Sequence, residues 1–476
     1  MGKSIGKNYF YNLIYQITVI LIPLITIPYI SEVLGPPGIG ISSFTNSVTQ
    51  YFILIGTLGI NIYGSRTIAI VREDKEKCKV IFWEILILQL VTCLASFIIY
   101  IVIFGFNNIY SLYYLIQSIY ILAASIDITW YFVGIEDFKK ASIRSTIVKL
   151  LSVVFMFVFV KTFDDLWKYI LINSFFMFVG QIIIWFYIDK SFMKLKYLKN
   201  INIFKHLKPS LHLFIPQIAI QVYMVLDKTM IGILTNESEV GFYDNSQKII
   251  RLSLAIVTSL GTVMLPKIAN LYSNGDTEKV EAYLKSTFRF MTLVAVPIVF
   301  GLIGISDNFV PWFFKEKFIK VIPLMKLSSV MVIIIAWGNV FGTQYILATG
   351  KMKEYTKSVI IGAIVNFTLN IILIPKLLSL GAVIATLCAE TIISLIQLYY
   401  SKEIVKSSWF LCGWRYLVGS ILMFIEVYFL GKVLTGEIGT LIQITLGALT
   451  YFIILVIMKD ELSGILLRKI RYFFKK

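Results

Sequence analysis

Along nearly its whole length the chain alternates between apolar stretches of about 20 residues and short polar loops, the pattern of helices that cross a bilayer. The stretches fall at 10–34, 39–65, 80–104, 109–133, 142–161, 166–188, 211–234, 241–265, 286–305, 321–347, 355–375, 381–401, 412–433 and 438–458. They predict fourteen helices, and fourteen helices in 476 residues leave no room for a folded soluble domain. Alternating strands of about ten residues, the signature of a membrane barrel, are absent. The expected fold class is all-α and polytopic.

Composition supports that reading. Hydrophobic residues make up 58% and charged residues 15%, with a mean hydropathy of +0.82. Soluble domains average roughly 45–50% apolar and 25% charged. A single core stops growing near roughly 300 residues, so the surplus needs an apolar solvent. A soluble enzyme, a disordered chain and a disulfide scaffold are excluded. Cys78, Cys93, Cys388 and Cys412 are scattered, and the two histidines, His206 and His212, form no H-E-x-x-H pattern. Gly350-Lys351 is followed by Met352, so no phosphate-cradling loop is present. These absences predict neither catalysis nor a metal nor a cofactor. Transport would draw on a gradient or a partner.

The net charge is nevertheless +17, from 44 Lys and Arg against 27 Asp and Glu. With a cytoplasmic N-terminus, 32 of the cations fall on inside segments and seven on outside loops. That asymmetry predicts a cell-membrane protein with both termini cytoplasmic. It also predicts attraction to anionic lipids, and it implies no nucleic acid. Five cations remain inside predicted spans: Lys149, Lys228, Lys248, Arg251 and Lys326.

The organisation reads as an N-terminal lobe at 1–188, a cytoplasmic linker at 189–210, a C-terminal lobe at 211–401, and two further helices with a basic tail at 402–476. In the linker, Phe192, Leu195, Leu198, Ile201 and Phe204 recur every three residues with Lys194, Lys196, Lys199 and Lys205 between them. That spacing suits a helix lying on the inner leaflet, and a plain linker is the alternative. An offset of 201 pairs Ile39-Gly40-Ile41-Ser42 with Val240-Gly241-Phe242-Tyr243, Thr57 with Thr258 and Arg66 with Lys267. Two pseudo-symmetric six-helix lobes follow, with a substrate site between them and rocking as the means of access.

A charge at mid-bilayer costs about 2.5–3.5 kcal/mol on insertion scales, so each must snorkel, pair or face water. Lys326 sits near a helix end and can snorkel. Lys149 admits either reading. Asp244, Lys248 and Arg251 share one helix face at i, i+4 and i+7, and Asp227 adjoins Lys228. They form either an internal ion-pair network or a cationic cavity for an anionic headgroup, for which phosphate is the natural fit. Glu390, Glu426 and Asp127 either carry protons or neutralise cations. Asn366 and Asn370 suggest interhelical hydrogen bonds. Asn236-Glu237-Ser238 spells a glycosylation sequon, and Lys459-Asp460-Glu461-Leu462 spells a retention signal but is not C-terminal.

Several motifs, in order, carry a resemblance. Asn8-Tyr9-Phe10-Tyr11-Asn12-Leu13 leads to Ile27-Pro28-Tyr29-Ile30-Ser31, Val33-Leu34-Gly35-Pro36 and Tyr63-Gly64-Ser65-Arg66. Asp127-Ile128-Thr129-Trp130-Tyr131-Phe132-Val133-Gly134, then Asp227-Lys228 with Ile231-Gly232, then Asn366-Phe367-Thr368-Leu369-Asn370 follow. The chain resembles the polysaccharide repeat-unit flippases of the multidrug/oligosaccharidyl-lipid/polysaccharide exporter superfamily. Ser65 departs from the polar residue, such as Asn, expected before the Arg. The resemblance implies a two-lobed, ATP-independent transporter of twelve core helices plus two. It implies movement of an undecaprenyl-(pyro)phosphate-linked oligosaccharide to the outer leaflet for a surface polymer such as capsule, exopolysaccharide or teichoic acid.

The expected phosphate-engaging residues are Lys228, Lys248, Arg251, Lys149 and Arg66, with Asp227, Glu390, Asp127 and Asp244 tuning or coupling them. The expected partners are the lipid-linked oligosaccharide, anionic membrane lipids and polysaccharide polymerase machinery, with the chain acting as a monomer. A drug or organic-cation antiporter of the same superfamily is the alternative, disfavoured by the excess of buried Lys and Arg. A membrane glycosyltransferase or polymerase would need a larger outside loop than 306–320.

Overall fold

The computed structural model describes residues 2–198, 201–411 and 413–464. Lys199, Cys412 and the basic tail after 464 lie outside the described residues, as do the side chains of the Asn8–Leu13 motif. Every regular element among the described residues is helical, and twelve helices are long and apolar enough to cross a membrane. The protein is an all-α, multi-pass membrane protein.

The first of these twelve runs over 21–71 and contains two of the predicted helices. α1 (Gly2–Thr57) is interrupted at Gly35, where φ is 61° and ψ is −178°. Glycine reaches positive φ without a steric penalty, and the following Pro36-Pro37 disfavours a helical residue before it. Dividing the run there and counting the 31-residue α8 (Phe204–Leu234) recovers fourteen helices.

Contacts divide the chain into two compact units, Met1–Ile233 and Leu234–Lys476. In the first, α2 (Ile60–Val71), α3 (Lys75–Phe104), α4 (Ser111–Ser125), α5 (Thr129–Gly134), α6 (Phe138–Phe159) and α7 (Leu166–Trp185) follow α1. Its core gathers Phe82, Trp130, Phe132, Ile184 and Phe192. Gly64 of the Tyr-Gly-Ser-Arg motif lies under Trp130, where a Cβ would meet the indole at 2.8 Å. Two of the family-like motifs thus make one tight helix crossing, between α2 and α5.

The segment after α7 forms two short 3₁₀ turns, at 190–193 and 195–198. It docks on α3. Phe192 enters the core, and the Trp83 indole N–H donates to the Phe192 carbonyl at 2.7 Å. Glu76 accepts from Lys196 and from the Tyr197 hydroxyl. Glu84, only 1% exposed, accepts from the Asn202 backbone N–H, from Lys205 and from His206 Nε2 at 3.0 Å. The ionised carboxylate only accepts, so the His206 proton sits on Nε2. His206 Nδ1 is then the acceptor for the Tyr63 hydroxyl at 2.6 Å. Burial pushes His206 below its ordinary pKa, with Glu84 pulling the other way.

The second unit opens with α9 (Glu237–Ser273) and α10 (Thr277–Phe313). At 37 residues each they are about 55 Å long by helical rise, more than a bilayer core of about 30 Å requires. The sequon residue Asn236 is the N-cap of α9, its side chain accepting from the Glu239 N–H at 3.1 Å. α11 (Val321–Ser329) and α12 (Met331–Gly338) run into a π-helical stretch, Asn339–Leu347. α13 (Met352–Leu377), α14 (Ser379–Tyr400), α15 (Ser408–Leu411), α16 (Gly413–Val433) and α17 (Gly436–Ile457) complete it.

Asn366 donates to Thr386, which ties α13 to α14, and Asn370 donates to Asn366 within α13. The apparent retention signal has a structural use. Asp460 and Glu461 both engage Arg289 of α10, Asp460 at 2.7 Å, and Tyr416 adds its hydroxyl to both Arg289 and Asp460. Burial raises the Asp460 carboxyl, but Arg289 and the Ser463 N–H hold it below the usual range.

Candidate functional site

Two of the predicted spans are broken in the first unit. Leu58 and Gly59 have φ of 46° and 72°, which ends α1 and restarts the chain as α2. Gly59 is also a close approach, since a Cβ there would lie 3.2 Å from the Phe214 backbone. The span read as 109–133 stops at Ser125 and resumes at Thr129. Around Asp127, Ser, Asp and Thr side chains compete with the helix for backbone groups, and the isoleucines between them are weak helix formers. Asp127 Oδ1 accepts from the Thr129 N–H at 2.8 Å, an Asx turn.

Broken helices in a membrane leave carbonyls without partners, each of which must be satisfied from within the protein. Here side chains of other helices supply them. Gln89 Nε2 donates to the carbonyls of Ala124 at 2.6 Å and Asp127 at 2.9 Å, while its Oε1 accepts from the Trp130 indole. The Trp185 indole N–H donates to Ile126, Thr92 to Gly56, and Ser210 to Leu58. Both breaks are built and internally capped.

Between them lies a polar cavity of about 330 Å³. Thr57 and Asn61 line it from the first break, Ala124 and Asp127 from the second, and Gln50, Tyr51, Tyr120, Gln181 and Gln221 from the surrounding helices. Tyr51 also hydrogen-bonds Thr229 of α8 at 3.2 Å. Behind Gln181 lies Arg144, only 8% exposed, whose guanidinium donates to Gln181 Oε1 at 2.8 Å and to the Gly180 carbonyl at 2.9 Å. Arg144 lies in the early turns of α6, inside the predicted span 142–161.

Of the predicted site residues, the structure brings three together. On α9, Asp244 is 2% exposed and pairs with Lys248 at 2.8 Å, with Arg251 at 3.6 Å from its other oxygen. Lys248 also donates to Asn245. The two cations remain 29% and 44% exposed at their side chains. The remaining predicted residues lie on other helices. Asp227 is buried and Lys228 half-buried on α8, Lys149 is half-buried on α6, Arg66 is exposed on α2, and Glu390 is half-buried on α14. No ion pair joins Arg66, Lys149 and Asp127 to one another. Lys326, expected to snorkel, pairs with Asp307 of α10 at 2.8 Å.

The second unit also holds an apolar cavity of about 580 Å³ between α9, α10, α16 and α17. Ile256, Pro297, Gly301, Met423, Gly447 and Phe452 are among its walls. The sequence reading missed the amides of the polar cavity, Gln50, Asn61, Gln181 and Gln221. The signal available was single amides set in apolar spans, where each must find a partner or a wet surface.

A family model described as "Polysaccharide biosynthesis protein" matches residues 5–272, more than half of the chain. The chain belongs to that family. A protein named as an O-antigen transporter in Escherichia coli (strain K12) is 22% identical over 404 residues, covering 84% of this chain and 97% of its own length. One of the same name from Shigella dysenteriae is 24% identical over 388 residues, covering 79% and 95%. A solved structure of the lipid II flippase MurJ, in an inward closed conformation, matches with a TM-score of 0.77 at 17% identity over 96% of this chain and 99% of that one. An inward-facing multidrug resistance transporter of the MATE family and MOP superfamily follows at 0.62 and 13% identity, covering 81% and 97%. The fold is therefore that of this superfamily, and these relatives are transporters and flippases rather than enzymes.

Proposed function

We propose that the chain is a flippase that carries an undecaprenyl-(pyro)phosphate-linked oligosaccharide from the inner to the outer leaflet by alternating access, for a cell-surface polysaccharide. The observation that carries this reading is the α9 face. Of the described acids, Asp244 is the one that Lys248 and Arg251 reach, and one carboxylate cannot neutralise both. A positive charge remains on an open face, suited to a phosphate held bidentately by Arg and as a point charge by Lys.

Lys228, Lys149 and Arg66 supply further phosphate contacts along the route. Asp227, Asp244, Asp127 and Glu390 tune those cations or couple the cycle to an ion gradient. The apolar cavity of the second unit offers a polyprenyl chain a dry surface. Both termini are cytoplasmic, the basic loops rest on anionic lipids, and polymerase machinery receives the cargo from the monomeric flippase. The family and the names of the relatives support this reading.

The test is flipping of a fluorescent undecaprenyl-pyrophosphate glycan in proteoliposomes. Protein-dependent translocation is expected, and vesicles with and without protein behaving alike would overturn the reading. Organic-cation antiport is a second reading with one observation in its favour, because Asp127 shares its cavity with Tyr51 and Tyr120. Export of a cationic dye by the same vesicles would favour it.

A further inference from the structure

The polar cavity of the first unit is unlike the α9 face. Among the described residues no Lys, Arg or His lines it, and the one carboxylate among them, Asp127, disfavours anions. A phosphate has no place there. Amides and phenols instead offer donors and acceptors side by side, the complement of vicinal hydroxyls, which present both. At about 330 Å³ the cavity is at the lower end of the roughly 300–1,000 Å³ range of ligand pockets, room for a pyranose but not for a whole repeat unit.

The polarity of two lining groups is fixed by groups behind them. Arginine only donates, so the oxygen of Gln181 faces Arg144 and its Nε2 amide is left to the cavity. Asp127 spends Oδ1 on the Thr129 N–H, leaving Oδ2 as an acceptor. Tyr51 and Tyr120 add aromatic surface, and the two capped helix breaks hold the walls in place. Irregular backbone at membrane depth is tolerated where it lines such a cavity.

We propose that this cavity is a subsite for one uncharged sugar ring of the cargo. Gln181 and Asn61 donate to its hydroxyls, Asp127 accepts from it and disfavours acidic sugars, and Arg144 is the positioning residue that aims Gln181. The proposal rests on the flippase reading and assigns sugar selectivity to the first unit, separately from the phosphate contacts on α9.

The experiment uses the full chain in nanodiscs and three lipids: bare undecaprenyl pyrophosphate, the same lipid bearing one N-acetylhexosamine, and the same lipid bearing one hexuronic acid. Binding is read by native mass spectrometry. The wild type should bind the neutral-sugar lipid about tenfold tighter than the bare lipid and the hexuronate lipid no tighter than the bare one. Gln181→Glu keeps the oxygen that Arg144 needs, pairs with its charge, and exchanges the amide donor for an acceptor, so the tenfold increment should vanish with bare-lipid affinity unchanged. Asn61→Ala should do the same. Arg144→Lys should shrink the increment without moving bare-lipid affinity, a separation that a merely structural loss would not produce. Asp127→Asn should raise hexuronate binding toward the neutral value.

Equal wild-type binding of bare and neutral-sugar lipids, or an increment that survives both Gln181→Glu and Asn61→Ala, overturns the subsite. A cationic dye that binds the wild type and is lost in Asp127→Asn also overturns it, in favour of a cation cavity. Failure to bind any of the three lipids defeats the flippase reading itself.

Discussion

The two units answer the same problem, polar groups in an apolar solvent, in different ways. The first unit breaks two helices and satisfies the exposed carbonyls with neutral side chains, leaving a cavity of amides around one carboxylate. The second keeps α9 unbroken over 37 residues and sets charges on its surface, with one buried acid holding two open cations. Neutral and charged groups are accommodated by separate means. A hydrogen-bonding cavity needs fixed walls and therefore many internal bonds. A charge site needs only a helix face and a counter-ion.

The largest expected effect strikes the ionic side. Lys248→Ala/Arg251→Ala should lower glycolipid flipping about 100-fold, since charge-assisted hydrogen bonds are worth about 1.5–3 kcal/mol each. Undiminished flipping would remove these residues from the site. The next effect is on stability and belongs to the neutral side. Gln89→Leu strips the partners from two carbonyls and the Trp130 indole, and should cost roughly 3 kcal/mol in denaturant unfolding in detergent. A loss under about 0.5 kcal/mol would mean that the break at Asp127 does not depend on its caps.

A smaller effect depends on pH. His206 is held below its ordinary pKa of 6.5 by burial, so the unfolded chain binds the proton more readily. Its stabilising contribution is complete above about pH 6.5 and declines as pH falls toward the folded value. The melting temperature of the wild type should therefore drop between pH 7 and about pH 5.5, and His206→Gln should flatten that slope. An unchanged slope would assign it to other groups. The smallest effect is expected at Lys326→Ala, whose partner Asp307 is half exposed, at under about 1 kcal/mol.

Much of this was legible in the sequence. Apolar runs of bilayer length located the helices within a few residues, because in lipid a helix must bury its own backbone hydrogen bonds. The Asp244, Lys248 and Arg251 grouping was legible because helical spacing alone puts them on one face. The breaks at 57–61 and 125–129 were not, since they interrupt apolar runs without changing them. Their caps, Gln89, Trp185, Thr92 and Ser210, come from helices distant in the chain. For the same reason the hold of Glu76 and Glu84 on the linker, and the place of Gln181 beside Arg144, were not legible.

The most direct test of the central claim removes the charge from the cargo instead of from the protein. Proteoliposomes would be offered one fluorescent glycan on two carriers, undecaprenyl pyrophosphate and the uncharged undecaprenyl alcohol. The pyrophosphate form should be flipped at least about tenfold faster, and Lys248→Ala/Arg251→Ala should abolish the difference. Equal flipping of the two carriers by the wild type would contradict it.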